Sequence, residues 1–258
     1  MALEGIETGY EGAWDFPEYS GPLRPYLLAS VPRTGSTYVS HLLWETGCLG
    51  APLEYLNFAP SGPYGDAAAS RERQRERWEA ALRHRTSPNG VFGIKAFPLI
   101  LQDLGQLNPP LLAQTMRFLL RGQQARVVQL RRRDRQAHAI SYARAMLSGI
   151  WRAEQESGER EEPTFDERML ERATQLIDAQ ENAWEAMYRD MRITPLVLWY
   201  EDAIAAPREA QTQVAAYIGV ELDHGATVKV PPIRRQSQAG ARSWKAELAD
   251  KNVVTQQP

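Results

Sequence analysis

An α/β fold with a central, mostly parallel sheet flanked by helices is predicted by three observations. Four short runs, Tyr26–Val31, Val91–Phe97, Arg126–Leu130 and Pro195–Tyr200, are apolar on both faces, as strands covered on both sides by helices should be. Helical segments alternate with them: Ser36–Thr46, Asp66–Arg85, Pro110–Arg121, Asp134–Glu156, Phe165–Arg189 and Pro207–Gly219. The first strand also runs straight into a Pro–Gly turn that opens a helix. Alternation of this kind builds a doubly wound sheet, whose ligands lie at the carboxyl ends of its strands.

Residues 1–23 precede the first strand and carry Tyr10, Trp14, Phe16 and Tyr19 among glycines and glutamates, so they read as an extended lead-in arm. From residue 24 to 258 the chain reads as a single domain, a length with ample material for one buried core. Gln155–Pro163 is polar and reads as a loop or a frayed helix end. The tail, residues 225–258, differs in kind. Between Gly225 and Ala246 it holds Lys229, Arg234, Arg235, Arg242 and Lys245 and no acid. Trp244 inside that basic block argues for packing against the body or a ligand rather than for a merely solvated terminus.

Composition narrows the function classes. Hydrophobic content of 43% is that of a globular protein, and a net charge of −2 disfavours a dedicated nucleic-acid binder. Cys48 is the single cysteine, so no internal disulfide forms and a reducing, cytoplasmic setting is expected. The acidic N-terminus shows no apolar leader, and no run approaches the ~18 apolar residues of a membrane span. The four histidines and one cysteine show no metal-ligand spacing, so no metal is expected.

Within the first turn, Pro32 stops the strand, Gly35 permits a close backbone turn, and Ser36-Thr37 begin a helix that carries Tyr38, Val39, Leu42 and Leu43. Free N–H groups and the positive end of a helix converge at such a junction and make an anion site. Arg33 adds a fixed charge, and Ser36 and Thr37 add hydroxyls. A triphosphatase loop would read G-x-x-x-x-G-K-[ST]. Here Ser30 stands at the first glycine and Ser36 at the lysine. The segment Pro32-Arg33-Thr34-Gly35-Ser36-Thr37 instead resembles the 5′-phosphosulfate loop of sulfotransferases, which use 3′-phosphoadenosine-5′-phosphosulfate (PAPS).

A second cationic corner follows the third strand, where five arginines lie between Arg126 and Arg135 against one acid, Asp134. One reading is a helix start capped by Asp134 with solvated arginines around it. The preferred reading is a binding site, because the run sits at the same strand edge as the first loop. A planar guanidinium grips phosphate oxygens with two parallel hydrogen bonds. In sulfotransferases an arginine at this strand end and a serine eight residues on hold the cofactor's 3′-phosphate. Arg133 and Ser141 have that spacing, and Arg131 and Arg132 compete for the role.

Further segments narrow the resemblance to the bacterial trehalose and lipo-oligosaccharide sulfotransferase group. They are Gly50-Ala51-Pro52-Leu53-Glu54-Tyr55, Phe92-Gly93-Ile94-Lys95, Trp199-Tyr200-Glu201-Asp202 with Pro207, and Arg235-Gln236 followed by Trp244. The likeness spans about Tyr26 to Glu247 and implies a P-loop-like sulfotransferase fold. Two positions depart from the group: Val31-Pro32 stands where Ser-Gln is common, and His138 where Gln is frequent. The resemblance implies PAPS as co-substrate, held by Arg33, Thr34, Gly35, Ser36, Thr37, Arg133, Ser141 and Arg235. The acceptor it implies is a hydroxyl of a glycan or related small molecule. A homodimer is admitted as one oligomeric state.

Sulfuryl transfer resembles phosphoryl transfer: the reactants must be aligned, the charge on sulfonate stabilised and the hydroxyl proton accepted. Arg33 and the N–H groups of Thr34–Thr37 take the charge-stabilising role. Glu54 is the chosen base, because the resembling group uses the glutamate of this segment, and its apolar flank is expected to raise its pKa by desolvation. His41 and His138 are the alternative bases, and Lys95 reads either as a second cation or as a surface lysine. Two other functions compete: a small-molecule kinase with a degenerate phosphate loop, and a non-catalytic anion- or nucleic-acid-binding protein.

Overall fold

The computed structural model describes residues 8–121, 125–151, 155, 162–223, 225, 227–233 and 239–254. These fold as two compact units, one made of Met1–Arg133 with Gln180–Ile233 and the other of Asp134–Ala179 with Arg234–Pro258.

The first unit holds a four-stranded sheet: β1 (Arg24–Ala29), β2 (Val91–Ala96), β3 (Val127–Arg131) and β4 (Leu196–Trp199). Their order is β2-β1-β3-β4 and every pairing is parallel. All four expected strands are present, with ends displaced by a residue or two. Helices α1 (Ser36–Trp44), α7 (Tyr200–Ala205) and α8 (Pro207–Ile218) cover one face. There Tyr26, Leu28, Val128 and Leu198 pack against Val39, Leu43, Ala203 and Val214 in one buried cluster. On the other face α2 (Arg71–His84) and α4 (Pro109–Leu119) bring Trp78 and Phe118 onto Phe92, with ring centroids 5.5 and 6.2 Å from it. Between them lies α3 (Pro98–Leu107).

Local chemistry explains where the expected boundaries move. The helix expected from Asp66 begins only at Arg71, because Ser70 accepts the Arg73 N–H at 3.3 Å and caps it, after a separate 3-10 turn at Gly65–Ala67. Helix α3, not anticipated from the sequence, begins at Pro98. At the first helical position its fixed φ is an advantage, and the same device starts α4. Tyr200, expected at the end of a strand, opens α7 instead.

In the second unit, α5 (Arg135–Ser148) is capped by Asp134, whose carboxylate accepts the Ala137 N–H at 2.8 Å. The capping reading of Asp134 is therefore realised. The helix does not run to Glu156: Gly149 takes φ 69°, and its N–H closes on the Ala145 carbonyl. The basic tail forms α9 (Ala239–Val254), which packs on α5. Trp244 is buried there, edge-on to Phe165 at 5.2 Å, and its indole N–H donates to the Pro163 carbonyl at 2.9 Å. Helix α6 (Glu167–Met191) gives its first half to this unit and its residues from Gln180 to the first.

Candidate active site

The turn after β1 is fixed by its own backbone. Arg33 sits at φ 71° and Gly35 at φ 91°. A side chain at Gly35 would meet the Tyr200 ring at 2.2 Å, so glycine is required by contact as well as by conformation. Thr34 is fully buried, and its hydroxyl bonds the Val31 carbonyl at 2.7 Å and the Ser30 hydroxyl. Its side chain thus faces inward and shapes the turn, and its N–H turns to the Val31 carbonyl at 3.3 Å. Gly35, Ser36 and Thr37 stand at the N-terminal end of α1, where helix N–H groups lack intrahelical acceptors. From α6, the Trp184 indole N–H donates to the Ser30 carbonyl at 2.8 Å and braces the end of β1.

Glu54 is brought beside this turn by the sheet. Leu53 bridges in parallel to Ile94, and its carbonyl accepts the Lys95 N–H at 3.0 Å, so the segment lies against β2. The register pairs Lys95 with Leu28, which points it to the face where α1 lies. Its ammonium meets Glu54 Oε1 at 3.0 Å and Thr37 Oγ1 at 3.4 Å. Lys95 is 1% exposed, which overturns the surface-lysine reading. Glu54 Oε2 accepts the Asn57 amide at 2.8 Å, and the Glu54 backbone N–H donates to the Tyr10 oxygen at 2.9 Å. The surroundings are thus not merely apolar: Glu54 is almost buried and held in an ion pair. Carboxylate, ammonium and the first turn of α1 form one connected chain.

The three consecutive arginines after β3 have different fates. Arg131 pairs with Glu181 at 3.1 Å and Glu185 at 3.2 Å. Arg133 grips Asp202 with two bonds of 2.5 and 2.8 Å, and its N–H reaches both Glu201 oxygens at 3.1 Å. That grip lowers the Asp202 carboxyl and raises the Arg133 guanidinium from their ordinary values. Arg132 instead turns to the first loop: its Nη1 donates to the Arg33 carbonyl at 3.2 Å, and its guanidinium lies 5.2 Å from the centre of the Tyr200 ring. Its Nε is buried with no acceptor among the described residues. Ser141 lies half-buried on α5 in the second unit, and Arg235 lies outside the described residues.

The two histidine alternatives are both buried. His41 Nδ1 bonds the Pro231 carbonyl at 3.0 Å and its ring lies edge-on to Trp44, a packed histidine. His138 is fully buried on α5. Among the described residues no group of three His, Cys, Asp or Glu is placed to hold a metal ion, and no helix is long and apolar enough to cross a membrane. Sequence reasoning missed Tyr200, Asn57 and Tyr10 as site neighbours. Only Tyr200 carried a signal, through the segment that contains it.

The Stf0 sulphotransferase family model matches residues 25–249. The chain is similar to the trehalose 2-sulfotransferase of Mycobacterium tuberculosis, 24% identical over 266 residues that cover 87% of this chain and 94% of that protein. It is also similar to the trehalose 2-sulfotransferase of Mycolicibacterium smegmatis, 22% identical over 212 residues, covering 68% and 76%. Among solved structures it is similar to the sulfotransferase domain of the Synechococcus PCC 7002 olefin synthase, with TM-score 0.47, 15% identity and coverage of 89% of this chain and 90% of that one.

Proposed function

The chain belongs to the Stf0 sulphotransferase family, and on that premise we propose that it moves a sulfuryl group from PAPS to a hydroxyl of a carbohydrate, glycolipid or related small molecule. Membership displaces the kinase reading. The trehalose 2-sulfotransferase relatives make a sugar hydroxyl the first acceptor to test. A net charge of −2 supports a small-molecule or glycan acceptor over a nucleic acid, and the lone Cys48 supports a cytoplasmic setting. Residues 24–258 then serve as one sulfotransferase domain, preceded by the arm.

The observation that carries this reading is the chain Glu54–Lys95–Thr37. It ties a nearly buried carboxylate to the anion-binding turn. In the proposed step the acceptor oxygen attacks sulfur and its proton passes to a Glu54 oxygen. The bond from sulfur to the 5′-phosphate oxygen breaks, and adenosine 3′,5′-bisphosphate leaves with the electron pair. Arg33 and the N–H groups at the start of α1 stabilise charge on the sulfonate. As Glu54 takes the proton its charge is lost, and the Lys95 ammonium, still bound near Thr37, is released toward the sulfonate oxygens. Gly35, Ser36 and Thr37 cradle the 5′ end, and Thr34 holds the turn from within. For the 3′-phosphate, Arg133 and Ser141 remain the pair of matching spacing. The Asp202 grip on Arg133 and the free Nε of Arg132 favour Arg132 as the guanidinium with a donor to offer.

Two measurements test the reading. Incubation with PAPS and a panel of hydroxyl compounds, trehalose included, should yield a product heavier by one SO3. Glu54→Gln should lower turnover by about 10²- to 10⁴-fold, the usual worth of a general base, with affinity for adenosine 3′,5′-bisphosphate retained. Unchanged turnover in that variant would remove Glu54 as the base.

A further inference from the structure

We propose that the arm before β1 is part of the active site, with Tyr10 a positioning residue for Glu54. The inference rests on Glu54 being the base, and it concerns residues that precede the family-matched stretch, which begins at 25.

The arm is strapped down by one guanidinium. Arg85, at the end of α2, is almost fully buried, and its Nη1 donates to the Gly9 carbonyl at 2.7 Å, its Nη2 to the Glu11 carbonyl at 3.0 Å. Its Nε pairs with Asp15 at 3.0 Å. A buried cation committed to the backbone of one short segment fixes that segment firmly, since leaving its donors unmade is costly. Glu11 folds the strap on itself, its carboxylate accepting the N–H groups of Thr8 at 3.0 Å and Gly9 at 2.8 Å.

This strap delivers one side chain to the candidate base. The Tyr10 ring lies edge-on to Tyr64 at 5.5 Å and Tyr55 at 6.3 Å, which sets its direction. Its oxygen then accepts the Glu54 N–H at 2.9 Å. The turn bearing Glu54 is held by β2 through Leu53 on one side and by Tyr10 at Glu54 itself. Lys95 and Asn57 fix the carboxylate, while Tyr10 fixes the backbone from which it projects. A base displaced by a fraction of an ångström loses alignment with the hydroxyl it serves, so the arm acts on rate rather than on cofactor binding.

Tyr10→Phe keeps the ring packing and removes only the acceptor oxygen. We expect kcat to fall by about three- to tenfold, the worth of one hydrogen bond, with the Kd for adenosine 3′,5′-bisphosphate unchanged and a modest fall in Tm from the Glu54 N–H left without its acceptor. In a Glu54→Gln background the same change should have no further effect on kcat, because its route runs through Glu54. If Glu54→Gln is crippled while Tyr10→Phe turns over at the parent rate, the positioning role is overturned and the base survives. If Tyr10→Phe lowers rate, Tm and cofactor affinity together, and does so equally in the Glu54→Gln background, the strap is merely structural and the inference fails. If Glu54→Gln keeps its turnover, both readings fall together.

Discussion

The turn after β1 and the arginine run after β3 leave the carboxyl edge of the same sheet, yet they are built in opposite ways. The first carries one cation, Arg33, and gets its shape from backbone: corners at positive φ at Arg33 and Gly35, an inward-facing threonine between them and a helix start. The second is crowded with charge, but Arg131 and Arg133 are paired with acids. Arg132 alone of the three reaches across to the first turn. Counting arginines in the sequence therefore overstates the charge the second corner has to offer, and counting charges understates the first. Helix-start N–H groups need no counter-ion, whereas three adjacent guanidiniums must be separated or neutralised. The acids of the Trp199-Tyr200-Glu201-Asp202 segment neutralise Arg133, and its aromatic rings lie beneath Arg132 and Arg133.

The sharpest break of this comparison is Gly35→Ala. The new methyl group would need φ near 91° and would collide with the Tyr200 ring at 2.2 Å. Left-handed backbone and overpacking together cost about 2–5 kcal/mol, so thermal unfolding should report a large fall in Tm and titration a loss of adenosine 3′,5′-bisphosphate binding. Adding Tyr200→Ala should restore binding in part, since it removes the collision and leaves the backbone strain. A Gly35→Ala protein that binds normally would show that the ring does not fix the loop.

A smaller effect separates the arginines. Arg132→Ala removes the tie to the Arg33 carbonyl and a buried charge-assisted donor, and cofactor affinity should fall about ten- to a hundredfold. Arg133→Ala removes an exposed ion pair and should change it by less than about threefold. Calorimetric titration of the two variants decides the order, and a reversal would return the 3′-phosphate to Arg133.

Much of this was legible beforehand, and the exceptions have physical causes. The strands could be read because strands covered on both faces carry continuous apolar runs, and the first turn because Gly35 and its neighbours are local. Lys95 was ambiguous: a lysine within a strand faces either side until the register is known, and only its pairing with Leu28 directs it to α1. Tyr10 was not legible as a site neighbour, since its contact with Glu54 spans 44 residues and the strap is closed by Arg85, farther still along the chain. Arg133 matched a spacing, but no spacing discloses that Asp202, 69 residues on, already holds it. Sequence carried the local chemistry of each corner and left out what each corner's charges were paired with.

The faintest expected effect is a titration of that pairing. Arg133 holds the Asp202 carboxyl below its ordinary value of 3.8, chiefly by direct hydrogen bonding, against an opposing cost of desolvation, with its charge adding the least. A carboxyl whose folded value is depressed contributes stability above the unfolded value and loses it as pH falls through the folded one. The contribution of the pair should therefore be present at neutral pH and disappear below about pH 4. Because both partners are exposed, solvent and salt screen it. Wild type and Asp202→Asn should then differ by no more than about 2 °C in Tm at pH 7 and low salt, and the two should converge in acid and in 1 M salt. A difference that survives both conditions would mean that Asp202 braces the arginine run by packing or hydrogen bonding beyond its charge. The second corner would then be fixed by geometry, as the first is.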